Sequence, residues 1–136
     1  MTTKRPDRVL GLGHDTFWAW CDKGELRLPR CRRCSHLTWP VALACEKCGH
    51  GDLAWDRVSG RGTLASWCTF EREYYQGLIP VPYDTILVEL EEGPLFISNP
   101  FGFDREAFVM GASLTLRFLE CEDGAGRFSL PVFALT

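Results

Sequence analysis

Hydrophobic and polar residues alternate with a period of two along residues 57–136, the spacing that sends successive side chains to opposite faces of a strand. Candidate strands cover 58–70, 85–90, 95–98, 113–119 and 127–135. Ile86, Val88 and Leu90 share one face, and Leu114, Leu116 and Phe118 do the same on another strand. Turn signals separate the strands: Glu92-Gly93-Pro94, Asn99-Pro100 with Gly102, and Asp123-Gly124-Ala125-Gly126. Five strands, the first long enough to bend, predict a small closed or partly open barrel of the OB type, with a short sandwich as the alternative. Gly60-Arg61-Gly62 reads as a bulge at the start of the bending strand.

Upstream the pattern changes. His14-Asp15-Thr16 followed by Phe17, Trp18, Trp20 and Cys21, then Gly24, predicts a helix of about two turns, capped by Asp15 or Thr16 and stopped by Gly24. Phe17, Trp20 and Cys21 fall on one helical face and Trp18 lies off it. So short a helix is not stable alone, so its aromatics bury against this chain or against a partner. Residues 25–30 alternate again and lead as a strand into a cysteine-bearing segment. The expected organisation is a flexible N-terminus over 1–13, a helix and lead-in over 14–28, a ribbon over 29–56 and a barrel over 57–136. The fold class is mainly β with one short helix.

The ribbon carries the clearest chemistry. Cys31-Arg32-Arg33-Cys34 and Cys45-Glu46-Lys47-Cys48 are two pairs with the two-residue spacing by which one tight turn offers two thiolates to one metal. Four thiolates make a closed tetrahedral zinc site with no position for substrate or water, so the metal is expected to be structural. Tetrahedral sulfur also accepts iron, which keeps a rubredoxin-like electron carrier as an alternative. His50 reads as a solvated turn residue rather than a ligand. The other cysteines, Cys21, Cys68 and Cys121, lie in apolar or strand-like contexts and are expected to be small buried hydrophobes.

Composition narrows the rest. At 136 residues and 46% hydrophobic, the chain can bury one real core. No apolar run approaches the length needed to span a bilayer, and the polar start lacks a secretion-signal pattern, so a cytoplasmic protein away from membranes is expected. Lys and Arg outnumber Asp and Glu by seven to five in residues 20–60, but number five against eleven in residues 61–136. The acidic barrel argues against binding through nucleic-acid phosphates. A single-stranded nucleic-acid module remains an alternative because ribbons and OB folds both serve that role.

The order of motifs resembles a known family. Leu28-Pro29-Arg30 runs into the first cysteine pair, Gly49 follows the second, and Trp55 precedes Val58-Ser59-Gly60-Arg61-Gly62-Thr63-Leu64. Pro82-Tyr83 then precedes the strand Ile86–Leu90, and Met110-Gly111 stands before the strand 113–118. This is similar to the acyl-CoA-associated family that joins a helix and a rubredoxin-like zinc ribbon to a C-terminal OB fold. The resemblance implies a non-catalytic accessory subunit of a thiolase-fold enzyme. That enzyme would be a thiolase or an acyl-CoA retro-aldol lyase, as in steroid side-chain or aromatic acid degradation. It implies a complex of two plus two chains, with this chain helping to bind or channel the acyl-CoA.

No residue is assigned a catalytic role: His14, His36 and His50 have no nucleophile in a recognised arrangement, and Glu91-Glu92 and Glu122-Asp123 lie in expected turns. CoA needs cations for its phosphates and apolar or aromatic surface for the rest. The candidates for the cations are Arg30, Arg32, Arg33, Lys47, Arg57 and Arg61, with a pairing to a barrel carboxylate as the competing role for Arg61. The candidate partner interface is Phe17, Trp18 and Trp20 on the helix, with Tyr74 and Tyr75 in the loop from Glu71 to Pro82.

Overall fold

A computed structural model describes residues 2–136. In chain order it contains β1 (Thr3–Lys4), α1 (His14–Asp22), β2 (Arg27–Cys31), β3 (Leu53–Arg57), β4 (Arg61–Phe70), β5 (Tyr83–Leu90), β6 (Leu95–Ser98), a 3-10 turn (Arg105–Ala107), β7 (Ser113–Asp123) and β8 (Gly126–Leu135). No helix among the described residues is long and apolar enough to cross a membrane.

The barrel forms from β4 to β8. β5 pairs antiparallel with β4 and β6, β7 with β4 and β8. The ring closes where Phe101 N donates to Phe133 O at 2.8 Å and Phe133 N donates to Asn99 O at 3.2 Å. Ile86, Val88 and Leu90 point inward, all at most 2% exposed. β4 is the strand that bends: its first residues pair with both β5 and β7, and its register shifts between Leu64 and Ser66. The bulge therefore lies at Ala65 and not at Gly60-Arg61-Gly62. Gly62 has a different role. A Cβ there would sit 2.6 Å from Glu89 O and 2.7 Å from Val88 Cγ1, so only glycine lets the two strands approach at the crossing.

The helix is initiated by backbone geometry. Gly13 precedes it with no side-chain cap, and Asp15 lies inside the first turn, where its Oδ1 accepts from Gly11 N at 3.0 Å. The expected cap at Asp15 or Thr16 is thus replaced by a reach back to Gly11. The stop is as expected: Gly24 takes φ +78° and its N–H donates to Cys21 O at 2.9 Å. Phe17 and Cys21 are buried. Phe17 packs at a tilt against Trp39 of the ribbon at 4.8 Å, Trp39 likewise against Phe96 of β6 at 5.1 Å, and Phe96 edge-to-face against Phe133 of β8 at 6.2 Å. Helix, ribbon and barrel thereby share one core.

Residues 2–13 differ from the expectation of a flexible N-terminus. β1 adds a parallel strand to β7, with Thr3 opposite Cys121 and Lys4 opposite Glu122. Arg8 then locks the segment down. Its Nε donates to Asp123 Oδ2 at 2.7 Å and its Nη2 to Oδ1 at 3.2 Å, while its guanidinium lies 4.2 Å from the Phe128 ring. The Asp123 side chain is 1% exposed. Hydrogen bonds from Arg8 hold its carboxyl down to about 2. The physical reason is a polar segment satisfied by partners 115 residues away, which local composition does not reveal.

Candidate functional site

The two cysteine turns are built alike. Cys31 closes β2, and its Sγ accepts from Arg33 N and Cys34 N, both at 3.4 Å. Cys45 Sγ accepts from Lys47 N at 3.4 Å and Cys48 N at 3.5 Å. Each turn is pinned at its base, Cys31 N to His36 O at 2.9 Å and Cys45 N to His50 O at 2.8 Å. Backbone N–H groups aimed at sulfur favour the thiolate. The Cys48 N–H is the main cause that brings Cys45 down to about 6, and the Cys34 N–H acts on Cys31 in the same direction.

The four sulfurs lie within 4.8 Å of one another, with Cys31–Cys48 and Cys34–Cys45 both at 3.6 Å. A tetrahedron of thiolates with zinc–sulfur bonds of about 2.3 Å has an edge of about 3.8 Å, so the residues fit the ion. Cys31, Cys34, Cys45 and Cys48 complete a closed set, and His50 stands outside it. The chemistry such a set supplies is structural: it ties the two turns together and leaves no coordination position for a substrate. One support was not legible in the sequence. His36 Nε2 and Glu46 Oε1 meet at 2.8 Å and bridge one turn to the other.

Four of the six candidate phosphate-binding cations are engaged by carboxylates of this chain. Arg30 pairs with Asp56 at 2.6 Å, Arg32 with Asp52 at 3.1 Å, Arg57 with Glu25 at 3.7 Å and Arg61 with Glu91 at 2.7 Å. The last is the competing role anticipated for Arg61, and the pairing raises its pKa further. Arg33 and Lys47 make no ion pair with a carboxylate among the described residues.

The candidate interface residues separate into two groups. Phe17 is 3% exposed and belongs to the core, so it is no contact residue. Trp18 is half-buried, its Nε1 donating to Val9 O at 3.2 Å, and Trp20 is half-buried under Arg27 and Lys23, at 4.0 and 4.8 Å. Tyr74 and Tyr75 are exposed, as is Leu78 beside them. Cys21 and Cys121 are buried, but Cys68 is exposed because the register shift at Ala65 turns its stretch of β4 outward. Sequence reasoning also missed a groove of about 440 Å³ between helix, ribbon and barrel. Its lining includes Trp18, Trp39, Phe70, Tyr75 and Tyr83, together with Arg5. Only the density of aromatics in the sequence hints at it.

A helix packed on a four-cysteine ribbon, itself joined through one core to an OB barrel, defines a class of zinc-ribbon and OB-fold proteins. Comparison with known proteins agrees. The family model "ChsH2, rubredoxin-like zinc ribbon domain" matches residues 18–54, and "ChsH2, C-terminal OB-fold domain" matches residues 55–119. The chain belongs to this family of ribbon and OB-fold proteins. It is 30% identical over 122 residues to a probable enoyl-CoA hydratase alpha subunit of Thermomonospora curvata, matching 88% of this chain and 36% of that one. It is 28% identical over 86 residues to a DUF35 domain-containing scaffold protein of Pyrococcus furiosus, covering 60% of each. The chain thus spans roughly a third to three fifths of these two relatives. Among solved structures, a chain of the Ltp2-ChsH2(DUF35) aldolase superposes with a TM-score of 0.83 at 25% identity, covering 95% of this chain and 98% of that one. A DUF35 protein of Sulfolobus solfataricus shares the fold, with a TM-score of 0.59 at 13% identity over 78% of each chain.

Proposed function

We propose that this chain is a non-catalytic accessory subunit of a thiolase-fold enzyme, a thiolase or an acyl-CoA retro-aldol lyase. The enzyme would act on CoA thioesters such as those of steroid side chains or aromatic acids, in a complex of two plus two chains. This chain would help to hold or channel the acyl-CoA while the partner carries the covalent and acid–base steps. The observation that carries the reading is the near-complete superposition on a chain of the Ltp2-ChsH2(DUF35) aldolase. The relative from Thermomonospora curvata supports it from another direction, since there the matched stretch is part of a longer chain named as a subunit of a CoA-thioester enzyme. The site chemistry is compatible, because a closed thiolate set places surfaces rather than reacting.

The test is to purify the tagged chain from its native host and identify what accompanies it by mass spectrometry. A thiolase-sized enzyme is expected in equal amount, with its turnover of a CoA thioester falling when this chain is removed. A chain that elutes alone at 15.4 kDa beside a co-expressed thiolase-like neighbour would sink the proposal.

A further inference from the structure

We propose that the groove between helix, ribbon and barrel is a ligand site of this chain in its own right. Its ligand would be a flat, largely apolar molecule with one negative charge, in the simplest case an aromatic monocarboxylate. The proposal goes beyond the partner reading and does not depend on it.

The shape comes from aromatic side chains of three separate elements. Trp18 stands on the helix and Trp39 on the ribbon; on the barrel side, the rings of Phe70 and Tyr83 stack at 4.9 Å with 14° between their planes. Faces of this kind favour a flat ring, and about 440 Å³ lies within the range of small-molecule sites. The charge comes from Arg5. No Asp or Glu lines the groove, and Arg5 pairs with no carboxylate among the described residues. Its neighbours behave differently: Arg8 is consumed by Asp123 and Arg105 by Asp84. The Arg5 guanidinium has one long side-chain bond, from Nη2 to Asn99 Oδ1 at 3.4 Å, while Asn99 is held by its own bond from Nδ2 to Asp84 O at 3.1 Å. The backbone N–H of Arg5 is fixed to Glu122 O at 2.9 Å, so the residue is anchored and its head has donors to spare. A planar guanidinium beside an apolar wall matches one carboxylate. It does not match the several phosphate charges of CoA.

The experiment is a calorimetric titration of the zinc-loaded full chain with 2-naphthoate, with its neutral twin 2-naphthylmethanol, and with free CoA. Naphthoate is expected to bind at one site per chain, and the neutral twin about tenfold or more weaker, the loss of one charge-assisted contact. Arg5→Gln should bring naphthoate down to the level of the neutral twin without changing the latter. Ile79→Trp, which fills the groove from the exposed loop, should remove both; circular dichroism and zinc content check that each variant is folded. No saturable binding of naphthoate, unchanged affinity in either folded variant, or tighter binding of free CoA would overturn the proposal. Any of these failures leaves the partner reading standing, since that is decided by co-purification.

Discussion

Between Cys31 and Cys48 the ribbon buries Cys31, Leu37, Thr38 and Cys45. The barrel buries Leu64, Ile86, Val88, Leu90, Phe96, Leu114 and Phe133 in one cluster. The first region has too little apolar surface to order its backbone and relies on four thiolates and a metal. The second is held by ordinary burial. The contrast teaches where each region can tolerate change: the ribbon depends on a few atoms, the barrel on many. Trp39 and Phe17 couple the two, because they carry ribbon and helix into the barrel core.

The largest effect should come from the metal. Structural zinc in small ribbons is worth about 10–16 kcal/mol of apparent binding free energy at neutral pH. Cys45→Ser, or a strong chelator, is expected to strip one zinc per chain and remove hydrogen-exchange protection from residues 31–50. The amides of β4 to β8 should keep theirs. Simultaneous loss of protection in both regions would show one cooperative unit and break the comparison.

Phe96→Ala should come next. Phe96 is 3% exposed and touches Trp39, Phe17 and Phe133. Truncating a buried phenylalanine costs about 3–5 kcal/mol. A lowered urea midpoint with the zinc content kept at one per chain is the expected result. If zinc were lost as well, the metal site would depend on the barrel core more than its own turns suggest.

Arg8→Met should have a more local effect, felt by the N-terminal segment rather than by the urea midpoint of the barrel. It deletes two hydrogen bonds to a buried carboxylate, each contact of this charged kind being worth about 1.5–3 kcal/mol at most. Fraying of residues 2–13 in hydrogen exchange is the readout. The pH dependence has a definite sign. The Asp123 carboxyl is depressed, to about 2, so its contribution is fully present above the ordinary carboxylate range near about 4 and is lost as pH falls through about 2. The wild-type N-terminus should therefore release in that acid window, and the Arg8→Met protein should show no such step.

These regions also differ in how legible they are in the sequence. The barrel strands could be read because a period of two is local; Leu95–Ser98 matches its expected bounds and the Ile86, Val88, Leu90 face is the core face. The thiolates could be read because two-residue spacing is local chemistry. Docking of β1, the ion pairs of the candidate arginines and the groove all depend on residues far apart in the chain, such as Arg8 with Asp123 and Arg61 with Glu91. Cys68 shows the same limit within one strand. Alternation places it only as far as the next bulge, and the bulge is a property of pairing with β5.

The smallest effect separates the candidate cations from one another. Arg61 and Glu91 form an exposed pair, 65% and 52% open at their side chains. Pairs in that setting gain little against water and salt, so Arg61→Gln should leave the urea midpoint unchanged within error. Arg33 and Lys47 ride on the cysteine turns and have no carboxylate to satisfy them among the described residues. If the ribbon meets CoA phosphates in the assembled complex, Arg33→Gln with Lys47→Gln should raise the KM for the CoA thioester several-fold and steepen no salt dependence. Arg61→Gln should leave KM unchanged, since its charge is already engaged. An equal KM for all variants would move the phosphate site to the partner chain and leave the ribbon a purely structural role. A larger effect from Arg61 would mean that its pair with Glu91 opens on binding.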